Sequence, residues 1–415
     1  MPSLTSVRPS SGARIAGRSL RPTPLGHEPS RVISISLLAL AALSCAAAVI
    51  ALADIVLGAR HIPVLIEQPL QAGRGGRVSV VIAARDEERN IEAALRSVLS
   101  QTYDDYEVIV VDDRSADATG AILDRMRETW PRLRVVHVTE LPPGWLGKNH
   151  AMQVGAEAAD GEMLLFSDAD IVLDPTTLSR AVRYMNDNGV DHITAGPGLV
   201  LPSLPLALVV NFFTISLLLY MRPYRARVPG TRWHIGIGAF NLVRVSSYRR
   251  AGTHRRIAMR PDDDLKLGKI LKESGASQHL LDGRGALTVE WYRTLGELVR
   301  GFRKNAFAAL EYRLWVVTGA VVVSLALNVW PFVAIAVTSG ATRALNAATA
   351  LVAMTLYALV ARSLRQHPWL ALFYPVAALI FLYIVVAATL RTVFAGGIEW
   401  RGTRYSLRAL RANKV

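Results

Sequence analysis

The chain has 415 residues, 51% of them hydrophobic, and a formal net charge of +14. That length holds one domain of about 200 to 250 residues plus membrane segments, and the half-hydrophobic composition makes a purely soluble chain a poor fit. The basic excess sits beside apolar runs, with no aromatic-lined basic groove and no helix-turn-helix or zinc-finger spacing. Anionic lipid headgroups are therefore the expected partner, and nucleic acid is not.

Residues 1–31 are rich in Ser, Pro, Gly and Arg, with Arg8, Arg14, Arg18, Arg21 and Arg31 among them, and are expected to form a disordered basic arm. Residues 32–57 are apolar and long enough to span a bilayer. A cleaved signal peptide is the alternative, but the run is long for that and lacks a small-residue cleavage site. The single cysteine, Cys45, lies inside this run, so neither a disulfide framework nor a thiolate metal site can form within one chain.

From Arg77 short β-branched runs alternate with amphipathic segments, the pattern of a sheet wound with crossover helices. Val78 to Arg85 reads as a buried strand. The helix after it puts Ile91, Ala94, Leu95, Val98 and Leu99 on one face. A second strand ends in Asp112 and Asp113, a third runs from Leu133 to Val138, and a fourth ends in Ser-Asp-Ala-Asp at Asp168 and Asp170. A helix is expected from Asp174, with Pro175 at its first position and Gly189 past its end. The reading is an α/β nucleotide-binding half-domain.

Leu204 to Met221 is apolar but carries Asn211, Thr214 and Ser216 and begins between Pro202 and Pro205. It can lie in the membrane interface or cross the membrane, and the interfacial reading is favoured. Three further spans are expected, near Leu314 to Thr338, Ala344 to Ala361 and Trp369 to Leu390, with Trp330 and Trp369 as interfacial anchors. A basic tail, 391–415, follows. One span before the catalytic domain and three after it would put both basic ends on the side opposite that domain. Either a span count is then wrong or one end lies along the interface.

Open α/β sheets bind ligands outside the carboxyl ends of their strands, where these acids collect. Adjacent carboxylates repel and raise one another's pKa unless a cation joins them, and Mg2+ or Mn2+ is suited to Asp-x-Asp completed by substrate phosphates. A third cluster, Asp262-Asp263-Asp264, precedes a helix marked by Leu265, Leu267 and Leu271. Capping accounts for one of these acids, and another can serve as a general base.

The ordered series of motifs from Val78 to Leu314 resembles the GT-A-fold glycosyltransferases of family 2. The resemblance implies a Rossmann-like mixed sheet with crossover helices in a catalytic domain of residues 77–312, joined here to transmembrane helices at 32–57 and to a membrane region of about three helices at 314–390. It implies that Arg85, Asp112 and Asp113 meet the nucleotide, that Lys148 of Gly-Lys meets the diphosphate, and that Asp168 and Asp170 hold Mg2+ or Mn2+. Gly238, Ala239 and His254 would frame the sugar and acceptor. The family's Glu-Asp pair falls on Asp263 and Asp264, with Asp264 as base. Where processive synthases carry Gln-x-x-Arg-Trp, this chain has Arg300, Arg303, Lys304 and Asn305, similar to ceramide glucosyltransferases and to hopanoid- and carotenoid-associated members. Glu399-Trp-Arg-Gly402 also resembles the ends of those relatives.

A departing nucleoside diphosphate needs cations, which Arg300, Arg303 and Lys304 can supply; a basic membrane flank explains them equally. His150 and His254 are read as structural, and Trp145 and Trp291 as able to stack on a base or sugar. The expected activity is inverting transfer from a nucleotide-sugar, UDP-sugars favoured, to a membrane lipid, in a multi-pass inner-membrane protein whose catalytic domain faces the cytoplasm. The alternatives are a processive polysaccharide synthase, which needs more spans, and an inactive scaffold, which would have lost site residues.

Overall fold

The computed structural model describes residues 28–415; residues 1–27, most of the expected basic arm, lie outside the described residues. Helix α1 (Glu28–Ala59) leads into the catalytic body. There β1 (Val78–Ala84), α2 (Ile91–Leu99), β2 (Tyr106–Asp113), α3 (Thr119–Thr129), β3 (Leu133–Val138), α4 (Gly147–Glu157) and β4 (Met163–Asp168) alternate. A short β5 (Val172–Leu173), α5 (Thr177–Asp187), β6 (His192–Gly196), β7 (Gly198–Leu199) and α6 (Leu204–Met221) come next. The body is completed by β8 (Asn241–Arg244), α7 (Val245–Arg250), α8 (Asp263–Glu273), β9 (Gln278–Asp282), β10 (Leu287–Val289) and α9 (Leu295–Ala309).

The main sheet has seven strands in the order β3-β2-β1-β4-β8-β6-β9, and β8 runs antiparallel to both neighbours while the other pairs are parallel. It is the mixed sheet expected of the GT-A fold. All eight residues of β2 and the first five of β4 are buried, which is why these strands are continuous apolar runs rather than alternating ones. Each ends in its carboxylates at the same edge. Helix α5 begins at Thr177, three residues later than Asp174, because the Asp174 carboxylate accepts from the backbone N–H and the hydroxyl of Thr176 (2.9 and 2.6 Å) and closes a turn there first.

Beyond the sheet, α10 (Leu314–Ser324) passes through a π-helical turn, 325–329, into α11 (Trp330–Val337). Pro331 cannot donate to residue 327 and its ring would meet that carbonyl, which accounts for the wide turn. Trp330 therefore sits inside this long helix and not at a span end, whereas Trp369 lies at the start of the last one. Helices α12 (Gly340–Ser363) and α13 (Tyr374–Phe394) follow, then a hairpin of β11 (Gly397–Trp400) and β12 (Thr403–Ser406), and α14 (Leu407–Ala412). Among the described residues five helices are long and apolar enough to cross a membrane: 32–59, 204–225, 314–337, 340–363 and 368–394.

The tail does not stand away from the catalytic body, as the count of one span before and three after required. Arg401 pairs with Glu87, and the Gly147 N–H donates to the Tyr405 hydroxyl at 3.4 Å. Ile398, Tyr405 and Leu410 are buried with Phe307 and Tyr312 in one apolar cluster. The carboxyl-terminal end is packed against the α/β body.

Candidate active site

Strand β2 delivers Asp112 and Asp113 to the edge of the sheet, both buried. Asp112 accepts from the Ser115 N–H at 3.2 Å and meets the His137 Nδ1 at 2.9 Å. Asp113 is gripped by the Arg114 guanidinium at 2.8 and 3.1 Å, with Arg85 at 3.7 Å. A β-carbon at Gly147 would collide with the Asp113 carboxylate, so the start of α4 can lie against it only because residue 147 is glycine.

Lys148 follows in the first turn of α4 and reaches across to the other acids. Its ammonium lies 2.8 Å from Asp168 and 3.1 Å from Asp263. Burial alone would depress its pKa, but Asp168, Asp263 and Asp264 together hold it well above the usual lysine value. Lys148 is thus the cation around which the second and third acidic clusters assemble.

The three consecutive acids have three different partners, although Asp263 and Asp264 still repel one another. Asp262 forms a two-bond pair with buried Arg260, at 2.9 and 2.8 Å. Asp263 faces Lys148 from the first residue of α8. Asp264 accepts from the Gly238 N–H and the Leu265 N–H, each at 2.8 Å, and remains partly exposed. Burial, then the Asp263 carboxylate, pushes Asp264 up to about 7. Asp263 is raised as well, chiefly by burial, with Lys148 opposing.

The loop holding Gly238 and Ala239 is locked between β4 and α8. Gly238 O accepts from the Asp168 N–H at 3.0 Å, and Ala239 O accepts from the Ser167 hydroxyl at 2.9 Å. A β-carbon at Gly238 would stand 2.5 Å from an Asp168 oxygen, and one at Gly268 would run into the Ile235 carbonyl. These two close approaches bring the loop onto both carboxylate clusters.

Among the described residues no group of three or more His, Cys, Asp or Glu is placed to hold a metal ion. Asp168 and Asp170 still fit a cation that takes its remaining ligands from substrate phosphates, the usual arrangement for Mg2+ or Mn2+. Burial, reinforced by Asp168 and Glu87, pushes Asp170 up to about 7, the condition of a carboxylate short of a counter-charge.

Of the basic cluster on α9, only Lys304 joins the site. Its ammonium lies over the Trp400 ring, 4.1 Å from the centroid, and burial, then Lys148, brings its pKa down to about 8. Arg303 instead lines a groove against α13, and Arg300 is exposed. Trp291 is packed among Phe213, Tyr292 and Phe302. His254 is buried, meets the Tyr248 hydroxyl at 2.8 Å and packs on Phe166, and burial lowers its pKa to about 3. Trp145 packs edge-on against His150. Glu87, Trp400, Arg401 and Tyr405 were not expected here; the resemblance of Trp400-Arg401-Gly402 to the ends of other chains was the only sign of them.

The family model for glycosyl transferase family 2 matches residues 79–252. An uncharacterized glycosyltransferase of Haemophilus influenzae is 30% identical over 118 residues, 28% of this chain and 35% of that protein. The 4,4'-diaponeurosporenoate glycosyltransferase of Staphylococcus haemolyticus is 25% identical over 235 residues, 55% of this chain and 60% of that one. This chain covers 35%, 34% and 38% of the first three curated relatives it matches. A mannosyltransferase of Pyrobaculum calidifontis, solved in complex with GDP-Man and Mn2+, superposes with a TM-score of 0.52 over 86% of this chain and 99% of that one, at 20% identity. Residues 79–252 of this chain match glycosyl transferase family 2, and the chain has the GT-A fold of that mannosyltransferase.

Proposed function

We propose that this protein is an inverting glycosyltransferase that moves a sugar from a nucleotide-sugar to the hydroxyl of a membrane lipid. The observation that carries this reading is the joint placement of Lys148, Asp168, Asp263 and Asp264 at one sheet edge, with Asp264 raised to about 7 and partly exposed. A base poised near working pH can accept the lipid hydroxyl's proton as that oxygen attacks the anomeric carbon. The bond from the anomeric carbon to the phosphate oxygen breaks on the opposite face, and the nucleoside diphosphate leaves with its electron pair. One displacement needs one base and inverts the configuration. A divalent cation held by Asp168 and Asp170 would neutralise charge on the leaving diphosphate. Lys148 and Lys304 supply further positive charge there.

Connectivity supports one membrane arrangement. Strands β6 and β8 are paired, yet α6 lies between them in sequence, so a crossing by α6 would separate two strands of one sheet. Helix α13 starts next to the end of α12, where the Ser363 carbonyl meets Arg284 of the catalytic body, and ends at the hairpin docked on that body. In this proposal α1, α10–α11 and α12 cross the membrane, while α6 and α13 lie along its surface beneath the catalytic domain. The flanks on that side are basic, with Arg60, Arg74, Arg313 and Arg391, which points to the cytoplasm; the amino-terminal arm is the basic segment left opposite. The groove of about 290 Å³ between α9 and α13, walled by Val299, Ile384 and Ala388 with Arg303 and Arg391 among its lining residues, suits an amphiphilic acceptor.

The test is nucleotide release by membranes carrying the protein, with a panel of UDP- and GDP-sugars and extracted host lipid, in Mn2+ or in EDTA. Release that needs both lipid and metal supports the reading; no release from any donor sinks it.

A further inference from the structure

The hairpin tip is built in an uncommon way. Pairing from Gly397↔Ser406 to Trp400↔Thr403 leaves Arg401 and Gly402 as a two-residue turn, and both have positive φ, +49° and +73°. Such turns are normally given to Asn-Gly or Gly-Gly, because a side chain is strained in the first position. Arg401 nevertheless occupies it. Its guanidinium pairs with the Glu87 carboxylate and donates to the Asp86 carbonyl at 3.3 Å, and Asp86 is itself at φ +53°. Strained residues that face one another in this way gather at ligand sites.

A simple staple for the tail does not explain Arg401. Ile398, Tyr405 and Leu410 already bury the tail, Arg411 donates to the Tyr312 carbonyl at 3.0 Å, and Asn413 accepts from the Met259 N–H at 2.9 Å. The Arg401–Glu87 pair is partly open, with side chains 40% and 22% exposed, and such pairs contribute little to stability. Its surroundings are those of the donor site. Glu87 feels the charge of Asp168, and Lys304 feels Lys148, Asp263, Asp168 and Arg401. Tyr405 holds the N–H of the residue before Lys148.

We propose that Arg401 is a donor-binding residue, kept neutralised by Glu87 until a nucleoside diphosphate arrives and then bonded to its phosphate oxygens. A guanidinium matches phosphate with two parallel, charge-assisted bonds, a stronger contact than the open carboxylate pair it would leave. The carboxyl-terminal hairpin thereby becomes part of the donor site, and Glu87 becomes a competitor that sets how readily Arg401 is released. This inference rests on the glycosyltransferase reading.

The test is titration calorimetry on the purified full-length protein in Mn2+, with UDP, GDP, UMP and GMP as probes. In Arg401→Gln the affinity for the bound diphosphate should fall on the order of 10-fold to 100-fold, with monophosphate affinity and Tm unchanged. Arg401→Lys should restore part of the loss, and Glu87→Gln should tighten diphosphate binding. Diphosphate affinity unchanged in Arg401→Gln, or mono- and diphosphate affinity falling together with Tm, would overturn the assignment. A wild-type protein that binds no nucleoside diphosphate would remove the glycosyltransferase reading itself, and Arg401's role with it.

Discussion

The Lys148 ammonium stands 2.8 Å from an Asp168 carboxylate oxygen, and it reaches Asp263 at 3.1 Å from the same position. One cation from the start of α4 therefore links the Asp-x-Asp at the end of β4 to the acids that open α8. Asp263 is buried and needs such a partner, which the Lys148 ammonium supplies.

Replacing Lys148 by Met should leave Asp168 and Asp263 without their counter-charge and take a cation from the leaving diphosphate. We expect kcat/KM for nucleotide release to fall about 100-fold or more. A variant within a factor of two of wild type would separate Lys148 from the chemistry.

Burial and the neighbouring Asp263 hold Asp264 at about 7 in the fold, so the proposed base would be protonated and idle at lower pH. The rate should climb tenfold per pH unit below about 7 and level off above it. Asp264→Asn should lose about 100-fold to 10,000-fold and should lack the acid limb. The same shift acts on stability with the opposite sense. A folded pKa above the unfolded value of about 3.9 stabilises the fold fully below that value and ceases to do so as pH rises through about 7. Asp264→Asn should accordingly raise Tm at pH 8, and thermal melts of both proteins across pH 5 to 8 would check it.

Gly238→Ala puts a β-carbon 2.5 Å from the Asp168 carboxylate and displaces the loop whose N–H holds Asp264. Activity should drop about tenfold or more, with a stability loss of about 1–3 kcal/mol. Full activity in this variant would show that the loop can shift without disturbing either acid.

Filling the groove between α9 and α13 with Ala387→Trp should block lipid and spare the donor. Transfer to lipid should fall about tenfold or more, while nucleoside diphosphate affinity stays at the wild-type value. Equal loss of both would point to a general collapse of the site.

Much of this arrangement was legible in the sequence, because buried strands ending in paired aspartates leave few other readings. β1, β2 and β4 are apolar runs, β2 and β4 end in their carboxylates where the sheet ends, and Gly-Lys opens the helix α4 that faces them. Hydropathy could not decide α6, since it measures length and composition but not where the two ends return. It also counts α13 as long and apolar enough to cross, and it does not register that the tail beyond α13 packs on the body. Arg401 was hidden for a related reason: its partner Glu87 is 314 positions away, and in sequence it was one arginine in a basic tail. The Gly147 and Gly238 contacts likewise depend on approach distances that only the fold defines.

The most direct test of the central claim is the movement of labelled sugar from a UDP- or GDP-sugar panel into the organic extract of membranes, with wild type and Asp264→Asn compared at pH 7.5 in Mn2+. The account predicts a new labelled lipid with wild type and a loss of about 100-fold or more with Asp264→Asn. Label that remains in water-soluble polymer, or that enters lipid equally with both proteins, would contradict it.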